Sequence, residues 1–186
     1  MQTVVRSLAV LLLLLAPQAA RAQGEGEDVP LFMPTGFKIG YTTRPPGQLL
    51  YEYVPEGETV EAWTRMATQQ FFFGLKGRDP DVLPKLMAPQ WAATCPGGAS
   101  QKLEGSTENG FPTSVWQFTC PQNPLSGKPE TMWMKVISGS EALYSVQYAY
   151  RERFSPQLVG PAMAYLRRVS ACDTRRQDRP CPHNRR

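Results

Sequence analysis

The sequence is short of the groups that many enzymes use. Its 186 residues contain a single histidine, His183, close to the C-terminus. The body of the chain therefore has no histidine that could act as the base for a serine or cysteine nucleophile. The glycine–lysine pattern of phosphate-binding loops and the glycine fingerprint of dinucleotide-binding folds are also missing. Histidine-dependent hydrolysis and phosphate cradling are unsupported, and no cofactor is predicted.

Long apolar runs are lacking as well. The most apolar segment, residues 8–16, is nine residues long, follows Arg6 and precedes an Ala-x-Ala ending at Ala22. This run is far short of the ~20 residues that a membrane-spanning helix needs. A positive start, a short apolar core and an Ala-x-Ala ending are typical of a secretory signal peptide. We predict a signal peptide over 1–22, a mature start near Gln23, and a periplasmic or secreted protein without a transmembrane segment.

Cysteine is scarce, and no two cysteines have Cys-x-x-Cys spacing, so neither a zinc site nor a thioredoxin-type redox motif is predicted. The four cysteines are Cys95, Cys120, Cys172 and Cys181. In an oxidising compartment an even number of cysteines favours disulfides, and three pairings are open. We predict Cys95–Cys120 and Cys172–Cys181, because each bridge closes a short stretch of chain.

Positive charge is concentrated at the C-terminal end. Residues 167–186 contain seven arginines and only two acidic residues, whereas the preceding body is mildly acidic. Such a tail could contact an anionic membrane surface, and Arg175, Arg176 and Arg179 are the candidates for that surface. The same pattern also fits a solvated end that keeps the protein soluble. No specific nucleic-acid partner is predicted.

Periodicity predicts one α+β domain over 36–172, preceded by an irregular lead-in over 23–35 and followed by a basic tail over 173–186. The expected order is β-β-α-α-β-β-β-β-α, with helices packed on an antiparallel sheet of about six strands. An Asn109-Gly110 dipeptide predicts a hairpin turn between the third and fourth strands. The strands are predicted at 37–42, 49–53, 102–108, 114–120, 131–138 and 142–150, and the helices at 59–74, 80–94 and 155–169, with interruptions at the internal prolines.

An acid-rich stretch over 52–73 offers the strongest candidate for chemistry. Glu52, Glu56 and Glu61 cluster near its start, and two carboxyls about 5–10 Å apart in a cleft could support glycosidase-type hydrolysis. Each residue also has a structural explanation: Thr59 suits a helix N-cap, Glu61 suits a first helical turn, and apolar residues follow at helical spacing. The structural interpretation is preferred, and the three glutamates are weak catalytic candidates.

Aromatic residues are abundant, and Trp133 is the best candidate for an exposed one. It alternates with Met132 and Met134 in a strand, so one of the two sets faces away from the principal core unless helices cover both sides of the sheet. Exposed tryptophan is favoured at binding surfaces. Trp133 is therefore predicted to belong to an interaction surface.

Several phrases resemble an uncharacterised family of exported Gram-negative bacterial proteins. They are "GFKIGY", "EYVPEGETVEAWTRM", "CPGG", "ENG" before a tryptophan strand ending in "CP", "GKPE", and the closing "CD" and "PCP". This resemblance implies export and the cysteine placement, and it implies no activity. The element order is similar to the α/β sandwich of the PsbP and Mog1 proteins, which are mostly binding and assembly factors.

Three functions are carried forward. The first is an exported, disulfide-stabilised, non-catalytic domain that binds another exported or envelope protein as an inhibitor, immunity or assembly factor. The second is a carboxylate-dependent hydrolase of an envelope polymer or glycan. The third is attachment to a membrane surface through the arginine tail. Whether the chain is an enzyme is left open, with a non-enzyme preferred.

Overall fold

The computed structural model describes residues 26–181, so the predicted signal peptide, Gln23 and His183 lie outside the described residues. Its centre is a seven-stranded antiparallel sheet with the spatial order β2-β3-β4-β8-β7-β6-β5. A single 3-10 turn, Phe73–Leu75, follows β4. The helices are α1 (Val82–Thr94) and α2 (Pro156–Arg168), and the strands are β1 (Glu27–Asp28), β2 (Phe37–Thr43), β3 (Gln48–Pro55), β4 (Arg65–Phe72), β5 (Ala99–Glu108), β6 (Phe111–Cys120), β7 (Glu130–Ser138), β8 (Leu143–Tyr150) and β9 (Cys172–Asp173).

An antiparallel sheet with packed helices agrees with the predicted α+β class, but the sheet has seven strands rather than about six. The extra strand is β4, which replaces the helix predicted over 59–74. It lies between β3 and β8 and is paired along its length with both, and its residues 66–69 are all buried. A strand that is buried on both faces lacks the alternation of apolar and polar residues by which strands are recognised. The apolar residues of this segment instead follow a spacing that resembles that of a helix.

The segment before β4 is a loop closed by its own side chains. Glu58 accepts hydrogen bonds from the backbone N–H of Thr64 at 2.6 Å and from its hydroxyl at 2.8 Å. Thr59, predicted to cap a helix, accepts a bond from the N–H of Ala62 at 3.2 Å. The local capping chemistry is therefore present, but it stabilises a turn instead of starting a helix.

Neither helix is divided at a proline, since α1 and α2 each run through an internal proline, Pro89 and Pro161; a kink in α1 stays a prediction. Helix α2 buries Leu158, Ala162, Tyr165 and Leu166, and this apolar stripe offsets the missing hydrogen bond. Its C-terminal end is stabilised by Lys135 of β7, whose ammonium donates to the carbonyls of Leu166 at 3.3 Å and Val169 at 2.9 Å. A cation is favoured at this end of a helix.

Helices cover both faces of the sheet, α2 against β7 and β8, and α1 against β5 and β6. We call these sides the α2 face and the α1 face. Trp133 lies in the core beneath α2 and is 0 % exposed, whereas Met132 and Met134 belong to the core on the α1 side. The prediction of an exposed Trp133 is therefore wrong, because the two alternating sets are both covered.

The first and last described segments are joined to each other. Strand β1 pairs with β9, and the Cys172–Cys181 disulfide closes the loop that follows. We call β1, β9 and the loop 172–181 the terminal clamp. Within residues 26–35 the lead-in is irregular apart from β1, and its Val29 is 3 % exposed within the core. Both flanking segments contact the sheet domain. The predicted domain boundaries stay predictions.

The other disulfide joins Cys95, just after α1, to Cys120 at the end of β6. Both pairings are the predicted ones. The return of the chain between Cys95 and Cys120 uses the predicted hairpin, in which Asn109 and Gly110 both have positive φ, 48° and 76°. Asparagine and glycine are the residues that adopt such angles most readily.

Candidate functional site

The three candidate glutamates lie outside the grooves described below. Glu52 is half-buried on β3 and faces the α1 side, in register with Tyr41 of β2 and Thr68 of β4. Burial raises the pKa of its carboxyl. Glu56 and Glu61 are exposed in the loop before β4. Within residues 26–181, no group of three or more histidine, cysteine, aspartate or glutamate side chains is placed to hold a metal ion.

The three candidate arginines of the tail have partners within the clamp or on the neighbouring sheet domain. Arg175 pairs with Glu141 at 2.6 Å and with Asp173 at 2.9 Å, and Arg176 pairs with Asp178 at 2.8 Å. Arg179 lies over the ring of Phe111, 4.4 Å from its centroid. Arg175 and Arg176 therefore already use much of their hydrogen-bonding capacity within the protein, whereas the buried Nε of Arg179 has no hydrogen-bond partner among the described residues.

An open groove lies on the α2 face. Because α2 packs on β7 and β8, it leaves residues 99–101 of β5 and the adjoining end of β6 without a helix above them. One cross-strand row runs from the covered part of this face to the open part. Buried Trp133 of β7 is in register with Gln117 of β6, and Gln117 is in register with Gln101 of β5. We call this space, about 570 Å³, the amide groove; its other lining residues include Ala99, Ser100, Thr119, Thr131, Arg153 and Phe154.

Side chains in the amide groove are mostly uncharged and polar. Gln117 is 6 % exposed, and its amide oxygen accepts a bond of 2.7 Å from the amide nitrogen of Gln101. Phe154 forms a wall that is 49 % exposed, with its ring centroid 6.3 Å from that of Trp133. A concave surface with an aromatic wall and a few placed polar groups has the general composition of a binding site.

A second groove lies near the start of α1. We call this space, about 600 Å³, the Asp81 groove; its lining includes Arg78, Asp81, Lys102, Gly105, Ser106 and Thr107. Asp81 accepts hydrogen bonds from Lys102 at 2.7 Å and from the Trp116 indole at 3.0 Å. Burial opposes ionisation of Asp81, but the bonds from Lys102, Trp116 and Ser114 together outweigh it and lower its pKa to about 2.

Strand β5 lies between these two grooves, at one edge of the sheet. Eight of its ten residues are exposed, and its residues 99–102 and 105–107 line one groove or the other. In the described part of the chain its backbone pairs only with β6. A row of N–H and C=O groups is therefore open to a further strand.

Sequence reasoning predicted a strand at 102–108 but not its place at the edge. A signal was available, because "ASQKLEGSTE" contains only two clearly apolar residues, Ala99 and Leu103. A strand with so little to bury belongs at an edge or on an exposed surface. The grooves themselves could not be predicted, since they depend on where α1 and α2 cross the sheet.

No family model matches the chain, and no curated protein matches it either. Among solved structures, the Saccharomyces cerevisiae Ran-binding protein Mog1p is similar at a TM-score of 0.40, with 12 % identity over 71 % of this chain and 75 % of that chain. A mutant of the Mog1 protein is similar at 0.39, with 12 % identity over 70 % and 75 %. LpqN of Mycobacterium tuberculosis, involved in cell envelope biogenesis, is similar at 0.37, with 11 % identity over 81 % and 86 %.

Two of these structures are of Mog1, which is the likeness that the element order predicted. At TM-scores below 0.5 the likeness carries no argument about function. The resemblance to an exported bacterial family has no family model to support it and stays a prediction. Among residues 26–181, no helix is both long enough and apolar enough to cross a membrane.

Proposed function

We propose that this protein is an exported, non-catalytic binding domain, of the inhibitor, immunity or assembly type, that takes an extended segment of a partner protein as an eighth strand beside β5. The observation that carries the proposal is the placement of β5. It is exposed along nearly its whole length, and it borders a groove on each side of the sheet.

The two grooves suit the geometry of an added strand. Side chains of a strand point alternately to opposite faces of the sheet, so a segment paired with β5 would direct some into the amide groove and others into the Asp81 groove. In this mode of recognition the backbone bonds supply affinity, and the pockets for alternate side chains supply specificity.

The edge is only partly protected against pairing. A register shift between Lys102 and Glu104 bulges the strand at Leu103, and bulges and charges are the usual protections of an edge. On either side of the bulge, residues 99–102 and 104–108 pair regularly with β6. We propose these two regular runs as the docking positions.

Export is supported by the two disulfides, since such bonds form and persist in oxidising compartments. The signal peptide proposed for residues 1–22 would direct the chain there. Neither hydrolysis by Glu52, Glu56 and Glu61 nor membrane attachment through the tail has a comparable structural feature in its favour.

Proline substitutions test the docking strand. Successive residues of an antiparallel strand direct their N–H groups alternately toward the neighbouring strand and away from it. Of Ser100→Pro and Gln101→Pro, one removes a bond to β6 and lowers the melting temperature, and the other removes only an outward N–H. The fold-sparing variant should lose a partner that the oxidised protein captures from periplasmic extract in stoichiometric amount.

The matched control is the same pair of substitutions at the opposite edge. Lys38→Pro and Ile39→Pro of β2 also include one outward N–H, and the fold-sparing member should retain the partner. Equal recovery by the fold-sparing β5 variant and the wild-type protein would contradict docking at β5.

A further inference from the structure

The amide groove has an unbalanced set of polar groups. No carboxylate lines it, and its one charged lining residue is Arg153. Among the described residues, Arg153, like Arg44 and Arg78, forms neither an ion pair nor a side-chain hydrogen bond, whereas Arg175 and Arg176 form both. A guanidinium that presents five donors and has no acceptor of its own suits a carboxylate.

Gln117 adds a second donor to the same space. Its oxygen is occupied by the bond from Gln101, whereas its amide nitrogen has no partner among the described residues. The side chain is 6 % exposed, and it lines the groove. Burial among β6, β7 and the Gln101 side chain holds this amide in place, so little side-chain entropy is lost when its nitrogen donates to a ligand.

The Asp81 groove provides an internal comparison. Arg78 likewise has no ion pair within the described chain, but Asp79 and Asp81 line the same groove. Lys102 is already paired with Asp81 at 2.7 Å. Its two cations are thus balanced by two carboxylates, whereas the cation of the amide groove has no acidic counterpart among the lining residues.

We propose that the amide groove is an acidic-residue subsite: it binds the carboxylate of a glutamate or aspartate in the segment docked on β5, with Arg153 and the Gln117 amide as donors. This inference rests on the proposed function and names the chemistry of the partner. Phe154, 49 % exposed at the wall, contacts the methylene part of the same side chain. The partner is therefore an extended peptide segment that carries an acidic residue at the position facing this groove.

Synthetic peptides provide the probe. The set consists of blocked eight-residue peptides of alternating threonine and valine, in which one threonine at a time is replaced by glutamate, glutamine or lysine. Titration into the oxidised protein, followed by backbone amide NMR, locates binding at β5 and measures affinity. The best glutamate peptide should bind roughly fivefold more tightly than its glutamine counterpart, the upper end for a solvent-accessible ion pair, and the lysine peptide should bind most weakly.

Three exposed positions supply the variants. Arg153→Gln should abolish the preference for glutamate, whereas Arg78→Gln, the matched loss of a cation in the other groove, should leave it unchanged. Gln101→Glu places a carboxylate in the amide groove and should reverse the order, so that the lysine peptide binds best. Melting temperatures of the three variants check that each is folded.

The outcomes separate the two proposals. If glutamate and glutamine peptides shift the β5 amides equally, or if the preference survives Arg153→Gln, the acidic subsite is wrong and docking at β5 still stands. If none of the peptides perturbs β5, both the docking strand and the subsite are overturned. A glutamate preference that is lost only in Arg153→Gln and reversed in Gln101→Glu supports both.

Discussion

The two disulfides hold together regions of opposite character. Cys95 and Cys120, 3 % and 2 % exposed, join the end of α1 to β6 beside an apolar core in which Trp91 and Phe118 contact edge to face with centroids 5.5 Å apart. Cys172 and Cys181 close the terminal clamp, whose other contacts are mostly ion pairs and hydrogen bonds, together with the stacking of Arg179 over Phe111. Apolar burial therefore dominates one region and polar bonding the other.

The terminal clamp is nevertheless more than a tethered tail. The carboxylate of Glu27 accepts bonds from the Ser140 N–H at 2.7 Å, the Ser140 hydroxyl at 2.8 Å and the Tyr144 hydroxyl at 2.7 Å. Asn109 donates to the carbonyls of Ala171 at 3.0 Å and Pro180 at 3.2 Å. The difference between the two regions teaches that a short polar segment without a core can be held by a dense set of directional bonds.

Among the changes predicted below, removal of a disulfide should lower the stability of the protein most. The loops span sequence separations of 25 and 9, and restriction of the unfolded chain by loops of these lengths stabilises by about 3.5 and about 2.6 kcal/mol. The double variant Cys95→Ser with Cys120→Ser should therefore melt below the double variant Cys172→Ser with Cys181→Ser. Thermal unfolding measures the melting temperatures of the two double variants. Equal values would contradict a larger contribution of the Cys95–Cys120 disulfide.

Gly139→Ala should selectively release the clamp. A Cβ at this position would overlap the Glu27 carboxylate and lie 2.6 Å from Cε2 of Tyr144. Glu27 would leave the turn, and its lost bonds should reduce the free energy of unfolding by about 2 kcal/mol. Hydrogen exchange should show faster exchange at Glu27 and Asp28, with little change near Cys95–Cys120.

Gly160→Ala is the matched control for that substitution. Gly160 lies within α2, and a Cβ there would meet nothing within 4 Å. Replacement of a helical glycine by alanine should stabilise by about 0.5–1 kcal/mol. Slow hydrogen exchange at Glu27 in the Gly139→Ala variant would show that contacts other than those of the Glu27 carboxylate hold the lead-in.

Acid should affect both regions through one aspartate each. The pKa of Asp81 is lowered to about 2, because hydrogen bonds from Lys102, Trp116 and Ser114 outweigh the opposing effect of burial. The pKa of Asp173 is lowered to about 2, chiefly by the hydrogen bond from Arg175. Since the unfolded value is about 3.9, the stabilisation is present above about pH 4 and is lost as the pH falls toward 2.

Substitution should test the two aspartates separately. Their ion pairs are similarly exposed: Lys102 and Asp81 are 41 % and 11 % exposed, and Arg175 and Asp173 are 49 % and 3 % exposed. Asp81→Asn and Asp173→Asn should each flatten the acid dependence of denaturant unfolding, and added salt should weaken both contributions to a similar extent. An acid dependence that is unchanged by either substitution would contradict the role of that aspartate.

Features set by neighbours in the sequence could be predicted. The Asn109-Gly110 turn, the two disulfide pairings, most strands and the two surviving helices depend on turn chemistry, short separations and local periodicity. The site could be predicted far less well. Trp133 was placed on the surface although α2 buries it, and the polar β5 was recognised as a strand but not as an edge between two grooves.

The sequence by itself determined which segments turn, which cysteines lie within reach of one another, and where the charge is concentrated, because these properties depend on a few adjacent residues. Only the tertiary structure decided that residues 65–72 form a central strand, since burial on both faces of the sheet replaced the alternation by which a strand is recognised. It also decided that the α2 face is open beside residues 99–101 of β5, where the amide groove lies. That depends on the path of α2 over β7 and β8, and no local pattern records where a helix crosses a sheet.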